Sequence, residues 1–202
     1  VKAERIRVVP LGGGETVHGP SAPASRLGEL GLDGTFVLQV GRIETRKNQL
    51  AALAAVERLD GVTLAVAGPE RDQALAARLR ASPKVRVLGR VDPPTLELLY
   101  KHAAAVVVPS LYEGFGLPVL EAMSRGKVVV AAPTSSLPEV GGDAVVYAEP
   151  ADTEAFAKAL QSALSTEALR TKLARAARDR AAQFTWHRCA AGVVAVIREL
   201  LA

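Results

Sequence analysis

The sequence holds a single cysteine, Cys189, and three scattered histidines, so it offers neither an internal disulfide nor a zinc-type ligand cluster. Aromatic residues are only 4% of the chain, and its positive charges are dispersed, which argues against a nucleic-acid partner. No apolar run approaches the ~20 residues that span a bilayer. The opening VKAERIRVVP lacks a signal-peptide pattern, so a soluble, intracellular and cytoplasmic chain is expected. No GxxxxGK[ST] loop precedes Gly126-Lys127, which leaves a P-loop ATPase unsupported. There is no Asp-x-Asp pair to clamp a metal-bound phosphate. His18, His102 and His187 stand apart from any nucleophile motif and read as core or surface residues.

What is present is the composition of a globular α/β domain: 202 residues, 49% hydrophobic and 23% charged. The formal net charge of +4 makes the surface friendly to anions. Many arginines fall in ALRTKLARAARDRAAQ, which reads as a solvated helix face and is compatible with contact at the inner, anionic face of a membrane.

Apolar runs at FVLQV (36–40), VTLAVA (62–67), VRVLG (85–89), AVVVP (105–109), VVVAA (128–132) and AVVYA (144–148) read as strands. Between them QLAALAAVERL, RDQALAARLRA, PTLELLYKHAA and LPVLEAMSR repeat apolar residues at three- and four-residue spacing. The alternation predicts a Rossmann-like, doubly wound, six-stranded parallel sheet with helices on both faces. From about Asp152 the chain is expected to be wholly helical, with caps at Asp152 or Thr153, at Ser165 or Thr166, and at Thr185. The first 34 residues differ. RIRVVP could be a strand, and LGGGETVHGPSAPASRLGELGLDG reads as a linker, so the domain is expected to run over 35–202. GGG at 12–14 fails as a dinucleotide fingerprint, because Val17 stands at the third glycine position and prolines interrupt the helix.

The stretch Glu113 to Glu121, EGFGLPVLE, would lie at the carboxyl end of the fourth strand, where ligands of open α/β sheets collect. Pro118 suits a helix's first turn and Gly126 its left-handed end. The N–H groups of Phe115, Gly116 and Leu117 would then face an anion, and Gly114 and Gly116 would let the backbone approach it. Glu113 and Glu121 are poor phosphate ligands but good acceptors of sugar hydroxyls. The alternative is that Glu121 only stabilises the helix start and Glu113 is a solvated loop residue. After the first strand, VGRIETRKN sets Gly41 at a turn with Arg42 and Lys47 beside it, two cations able to hold a departing phosphate. Arg46 fits an exposed surface better. Gly68 permits close backbone approach, and Arg90 and Val91 could offer backbone groups to a base.

VGRIETRKN, LGRVDPPTLELLYKHAAAVVVPSLYEGFGLPVLEAM, TSSLPEVGGDAVVYAEP and the ending QFTWHRCAAGVVAVIREL together resemble the carboxyl-terminal, donor-binding domain of family 4 (group 1) retaining glycosyltransferases. The resemblance implies one half of a GT-B fold, and RIRVVPLGGGE resembles the stretch before its interdomain crossover. It implies that Arg42 and Lys47 bind the donor diphosphate, and that Glu113 contacts the sugar with Gly114, Phe115 and Gly116 beside it. Leu117 N–H would meet a phosphate, Glu121 would hold the ribose, and Arg90 and Val91 would flank the base. No cofactor or metal is implied; the donor is a GDP- or UDP-sugar. SSLPEVGG resembles mannosyltransferases of polysaccharide assembly. The implied partner is an amino-terminal acceptor-binding domain of the same enzyme. Lys127 stands where the family usually has proline. A nucleotide-sugar binding module without turnover, or part of a GT-B sugar-nucleotide isomerase, would share the same donor site.

Overall fold

A computed structural model describes residues 2–13, 19–165 and 167–201. Gly14, Val17, His18 and the candidate cap Thr166 lie outside the described residues.

The strands are β1 (Thr35–Val40), β2 (Val62–Ala67), β3 (Val85–Gly89), β4 (Ala105–Val108), β5 (Val129–Ala131) and β6 (Val146–Tyr147). They form one parallel sheet in the order β3-β2-β1-β4-β5-β6. The order reverses between β1 and β4, which makes their carboxyl ends the switch point of a doubly wound sheet.

The valine-rich runs form strands because both of their faces are covered. On one face Leu38, Ala65, Val106 and Val129 pack against α4 (Pro93–His102), α5 (Leu117–Ser124), α6 (Leu137–Gly141) and the inner residues Ala177 and Ala181 of α8 (Glu167–Ala181). On the other, Val37, Leu64, Val66 and Val107 meet α2 (Gln49–Glu57), α3 (Gln73–Arg80) and α7 (Thr153–Ser165). Asp72, Asp92 and Asp152 each accept a backbone N–H at the start of a helix, and Thr185 does so for α9 (Trp186–Leu201). Gly126 has φ 64 at the end of α5, as its position predicts.

Three expectations need correction. Ile6 to Pro10 form no strand; they run beside α9, with Val9 against Gly192 and Arg7 paired with Glu199. The stretch read as a linker contains a helix, α1 (Ser25–Glu29), and Leu32 behind it is buried in the core. β6 is only Val146–Tyr147, because Gly142–Ala144 wind into a 3-10 turn first.

Candidate functional site

Two segments meet at the switch point: the loop 41–48 after β1 and the segment 109–116 after β4. Gly68 binds the first to the sheet. A side chain there would put its Cβ 2.0 Å from the Gly41 carbonyl oxygen, so only glycine, at φ +155, lets the ends of β1 and β2 approach so closely. Two buried amides hold the loop from below. Gln39 donates to the Lys47 carbonyl and Gln49 to the Arg42 carbonyl, each at 2.8 Å. Lys47 is thereby fixed in a buried position, 8% exposed, that a lysine enters only with a charged partner.

That partner is Glu113, 6% exposed. Its Oε1 accepts from Lys47 Nζ at 2.6 Å and from Ser110 Oγ at 2.7 Å, while Oε2 accepts from Arg46 Nη1 at 3.2 Å. Its backbone is pinned as well. The N–H donates to Ser135 Oγ at 2.9 Å, and the carbonyl accepts from Ser136 Oγ at 3.1 Å. Glu113 is therefore no solvated loop residue.

Arg46, expected on the surface, is half-buried and bridges Glu113, Glu44 at 2.7 Å and the Tyr112 carbonyl at 2.8 Å. Arg42 is exposed and carries no side-chain hydrogen bond or ion pair among the described residues. It remains free to turn toward an anion.

The head of α5 opens beside this cluster. Gly116 has φ +99 and lies over Leu137, where a Cβ would be 2.8 Å from the leucine Cδ2. No side chain among the described residues caps the helix. The N–H groups of Phe115, Gly116 and Leu117 donate to no acceptor among the described residues. They are left for an anion, with the helix dipole behind them.

Lys47, Glu113 and Gly114–Pro118 line one wall of a cavity of about 1130 Å³. The other walls come from Val8–Leu11, the turn Gln183–Thr185, and Arg180 and Arg188. The remaining candidate residues do not line this cavity. Gly41 packs behind it against the Lys47 side chain. Glu121 faces α4, where its Oε2 accepts from Tyr100 Oη at 2.7 Å. Arg90 and Val91 line a separate pocket of about 460 Å³ with Ala22, Pro23 and Arg26.

Gln39, Gln49, Tyr100, Ser110, Ser135 and Ser136 were not singled out from the sequence. Gln39 did carry a signal, as the one polar residue in the buried run FVLQV. Among the described residues no group of three or more His, Cys, Asp or Glu side chains could hold a metal. The arrangement offers a cation, a carboxylate and free N–H groups around one space, a set that can hold an anion and a hydroxyl-bearing group together.

The fold and this site define a Rossmann-like domain with its ligand space at the switch point. Residues 28–180 match the family model described as glycosyl transferases group 1. The chain belongs to that family, as the donor-binding, carboxyl-terminal domain of a GT-B fold.

It is 36% identical to O-antigen chain mannosyltransferase B of Escherichia coli, over 76% of this chain and 43% of that protein. It is 34% identical to D-inositol 3-phosphate glycosyltransferase of Acidothermus cellulolyticus, over 98% of this chain and 49% of that protein. The chain thus spans about half the length of these relatives. Among solved structures, sucrose-phosphate synthase of Thermosynechococcus elongatus superposes with TM-score 0.81 at 29% identity, over 96% of this chain and 52% of that one. HepE of Anabaena, solved in complex with UDP-glucose, superposes with TM-score 0.86 at 20% identity, over 98% of this chain and 58% of that one, and shows the fold alone.

Proposed function

We propose that this domain binds the donor of a retaining hexosyltransferase, a GDP- or UDP-sugar, with GDP-mannose the leading candidate. The observation that carries the reading is the Lys47–Glu113 pair set beside N–H groups at the head of α5 that have no acceptor among the described residues. Lys47 and Arg42 hold the diphosphate, the Leu117 N–H meets one phosphate, and Glu113 takes a hydroxyl of the sugar beside Gly114, Phe115 and Gly116. Glu121 takes the ribose, and Arg90 and Val91 flank the base. Mannose is favoured by the mannosyltransferase among the relatives, and a nucleotide sugar by the UDP-glucose held in HepE.

In the reaction, the bond from the sugar's anomeric carbon to the diphosphate oxygen breaks, and a bond to the acceptor oxygen forms on the same face. The acceptor's proton goes to the departing phosphate oxygen. Charge grows on that oxygen as the bond stretches, so fixed cations and N–H groups lower the barrier most in the transition state. Glu113 positions the sugar and forms no covalent bond, since its Oε1 already carries two donors. The cations Arg42 and Lys47 supply the positive charge, so no divalent metal is needed. The acceptor, a glycan or lipid-linked group, is held by an amino-terminal domain of the same enzyme. The enzyme works in the cytoplasm, at the inner face of the membrane where its acceptor is lipid-linked.

The test is a titration of the purified chain with UDP, GDP, UDP-glucose and GDP-mannose, with and without EDTA. Micromolar binding by one pair, unaffected by EDTA and accompanied by a rise in Tm, is expected. Binding no tighter than millimolar for all four, with no Tm shift, would sink the reading; loss of binding in EDTA would sink its metal-free part.

A further inference from the structure

We infer that Tyr100 is a positioning residue that aims the Glu121 carboxylate at the two hydroxyls of a nucleotide's ribose. The inference rests on the donor-site reading above and adds a residue that no sequence motif marks.

Tyr100 lies on α4 with its ring fully buried in the core between the sheet and α5. A phenol hydroxyl in such a place must find an acceptor or cost the chain its desolvation. It donates to Glu121 Oε2 at 2.7 Å, a length usual for a hydroxyl on a carboxylate. The ring itself cannot shift. Arg125 lies over it, with its guanidinium carbon 4.6 Å from the ring centroid. That arginine is tied in turn to Glu97 at 2.7 Å and to the carbonyl of Glu121 at 2.9 Å.

Glu121 is thus held by its own backbone and by one carboxylate oxygen. The other oxygen, Oε1, receives no hydrogen bond among the described residues. A half-buried glutamate on a helix otherwise samples several rotamers, and each hydroxyl it binds must first stop that motion. The Tyr100 hydroxyl removes this cost in advance. It occupies Oε2 and leaves Oε1 to accept the vicinal hydroxyls of one sugar. Burial, and then the nearby Glu121 charge, push the Tyr100 hydroxyl well above its ordinary pKa, so it stays a donor at every working pH.

The experiment measures binding of GDP and UDP, and of their 2′,3′-dideoxy analogues, to the 202-residue chain and to its Tyr100→Phe and Glu121→Gln variants. In the wild-type chain the favoured nucleotide should bind about 10-fold or more tightly than its dideoxy analogue, the scale of hydrogen bonds to a charged acceptor. Tyr100→Phe keeps the ring and should bring that ratio close to unity, with the dideoxy affinity unchanged within about 2-fold. A merely structural role would weaken both nucleotides together and leave the ratio intact. Glu121→Gln, which leaves the tyrosine in place, should abolish the ratio as well.

A ratio retained in Tyr100→Phe overturns the inference. So does a ratio retained in Glu121→Gln, which stands as the test should the tyrosine variant fail to fold. A wild-type chain that binds GDP or UDP without telling ribose from dideoxyribose removes Glu121 from the ribose and overturns the inference while leaving the donor site. A wild-type chain that binds neither overturns the donor-site reading and this inference with it.

Discussion

Lys47 and Arg46 adjoin in sequence and grip the same carboxylate, yet the structure gives them different work. Lys47 is buried and shares Glu113 Oε1 with Ser110, whereas the Arg46 side chain is 39% exposed and spends its donors on Glu113, Glu44 and a carbonyl. A cation held by three fixed acceptors is a brace; one held by a single carboxylate can pass to a phosphate. In the enzyme carrying both domains, Lys47→Ala should lower kcat by roughly 10²-fold or more, as lost transition-state donors do. Arg46→Met should cost roughly 10-fold or less, since a half-exposed ion pair contributes about 1 kcal/mol. Steady-state kinetics at saturating donor decide this, with Tm measured alongside; equal losses would show that Arg46 too reaches the reacting groups. The sequence made Lys47 legible because it falls just after a strand end beside Gly41. It hid Arg46, whose partner is 67 residues away in the chain and is brought close only by the pairing of β1 with β4.

Among the elements, α4 and α5 are joined by a contact that has its own pH signature. The Tyr100 hydroxyl titrates well above its ordinary value of 10.0 in the folded chain, first through burial and then through Glu121. In the unfolded chain it titrates near that ordinary value. Between the two the folded state holds a proton that the unfolded state has released, so stability falls as pH rises. Its contribution is whole below pH 10 and is lost above it, as the folded hydroxyl is forced to ionise beside a carboxylate. Tm followed from pH 9 upward should therefore decline in the wild-type chain, and decline less steeply in Tyr100→Phe. Parallel alkaline limbs would mean that Tyr100 does not govern them.

The elements that carry this contact were legible because PTLELLYKHAA and LPVLEAMSR keep a clear helical period between buried valine runs. α1 and α6 were not. SRLGE and LPEVG are five residues each and carry the glycines and prolines that mark loops, and tertiary packing makes them helical. The short β6 has a similar cause, since its apolar run is cut by a 3-10 turn that periodicity does not register.

At the scale of the whole molecule, two segments stand apart from the sheet: residues 6–12 and α9. Helix α9 has the regular apolar spacing of a packed helix, yet it contributes no buried residue, and Trp186, Val193, Val194, Ile197 and Leu200 are all exposed. What holds it is the other segment. Gly12 packs on the backbone of Trp186, Val9 on Gly192, and Arg7 pairs with Glu199 at the surface. These contacts bury little, and the ion pair is exposed and screened by solvent, so it adds little. The two faces of the sheet, by contrast, are closed over β1, β2, β4 and β5, so those strands open only with the whole domain. Native-state hydrogen exchange on this chain should therefore show two regimes. Amides of β1, β2 and β4 exchange through global unfolding, with a denaturant dependence equal to that of the whole domain. Amides of α9 exchange through a local opening at least about 10²-fold more often, with little denaturant dependence, because that opening exposes little new surface. If α9 amides were as slow as those of β1 and followed the same denaturant slope, the helix would belong to the domain's cooperative core, and its apolar face would need a different account.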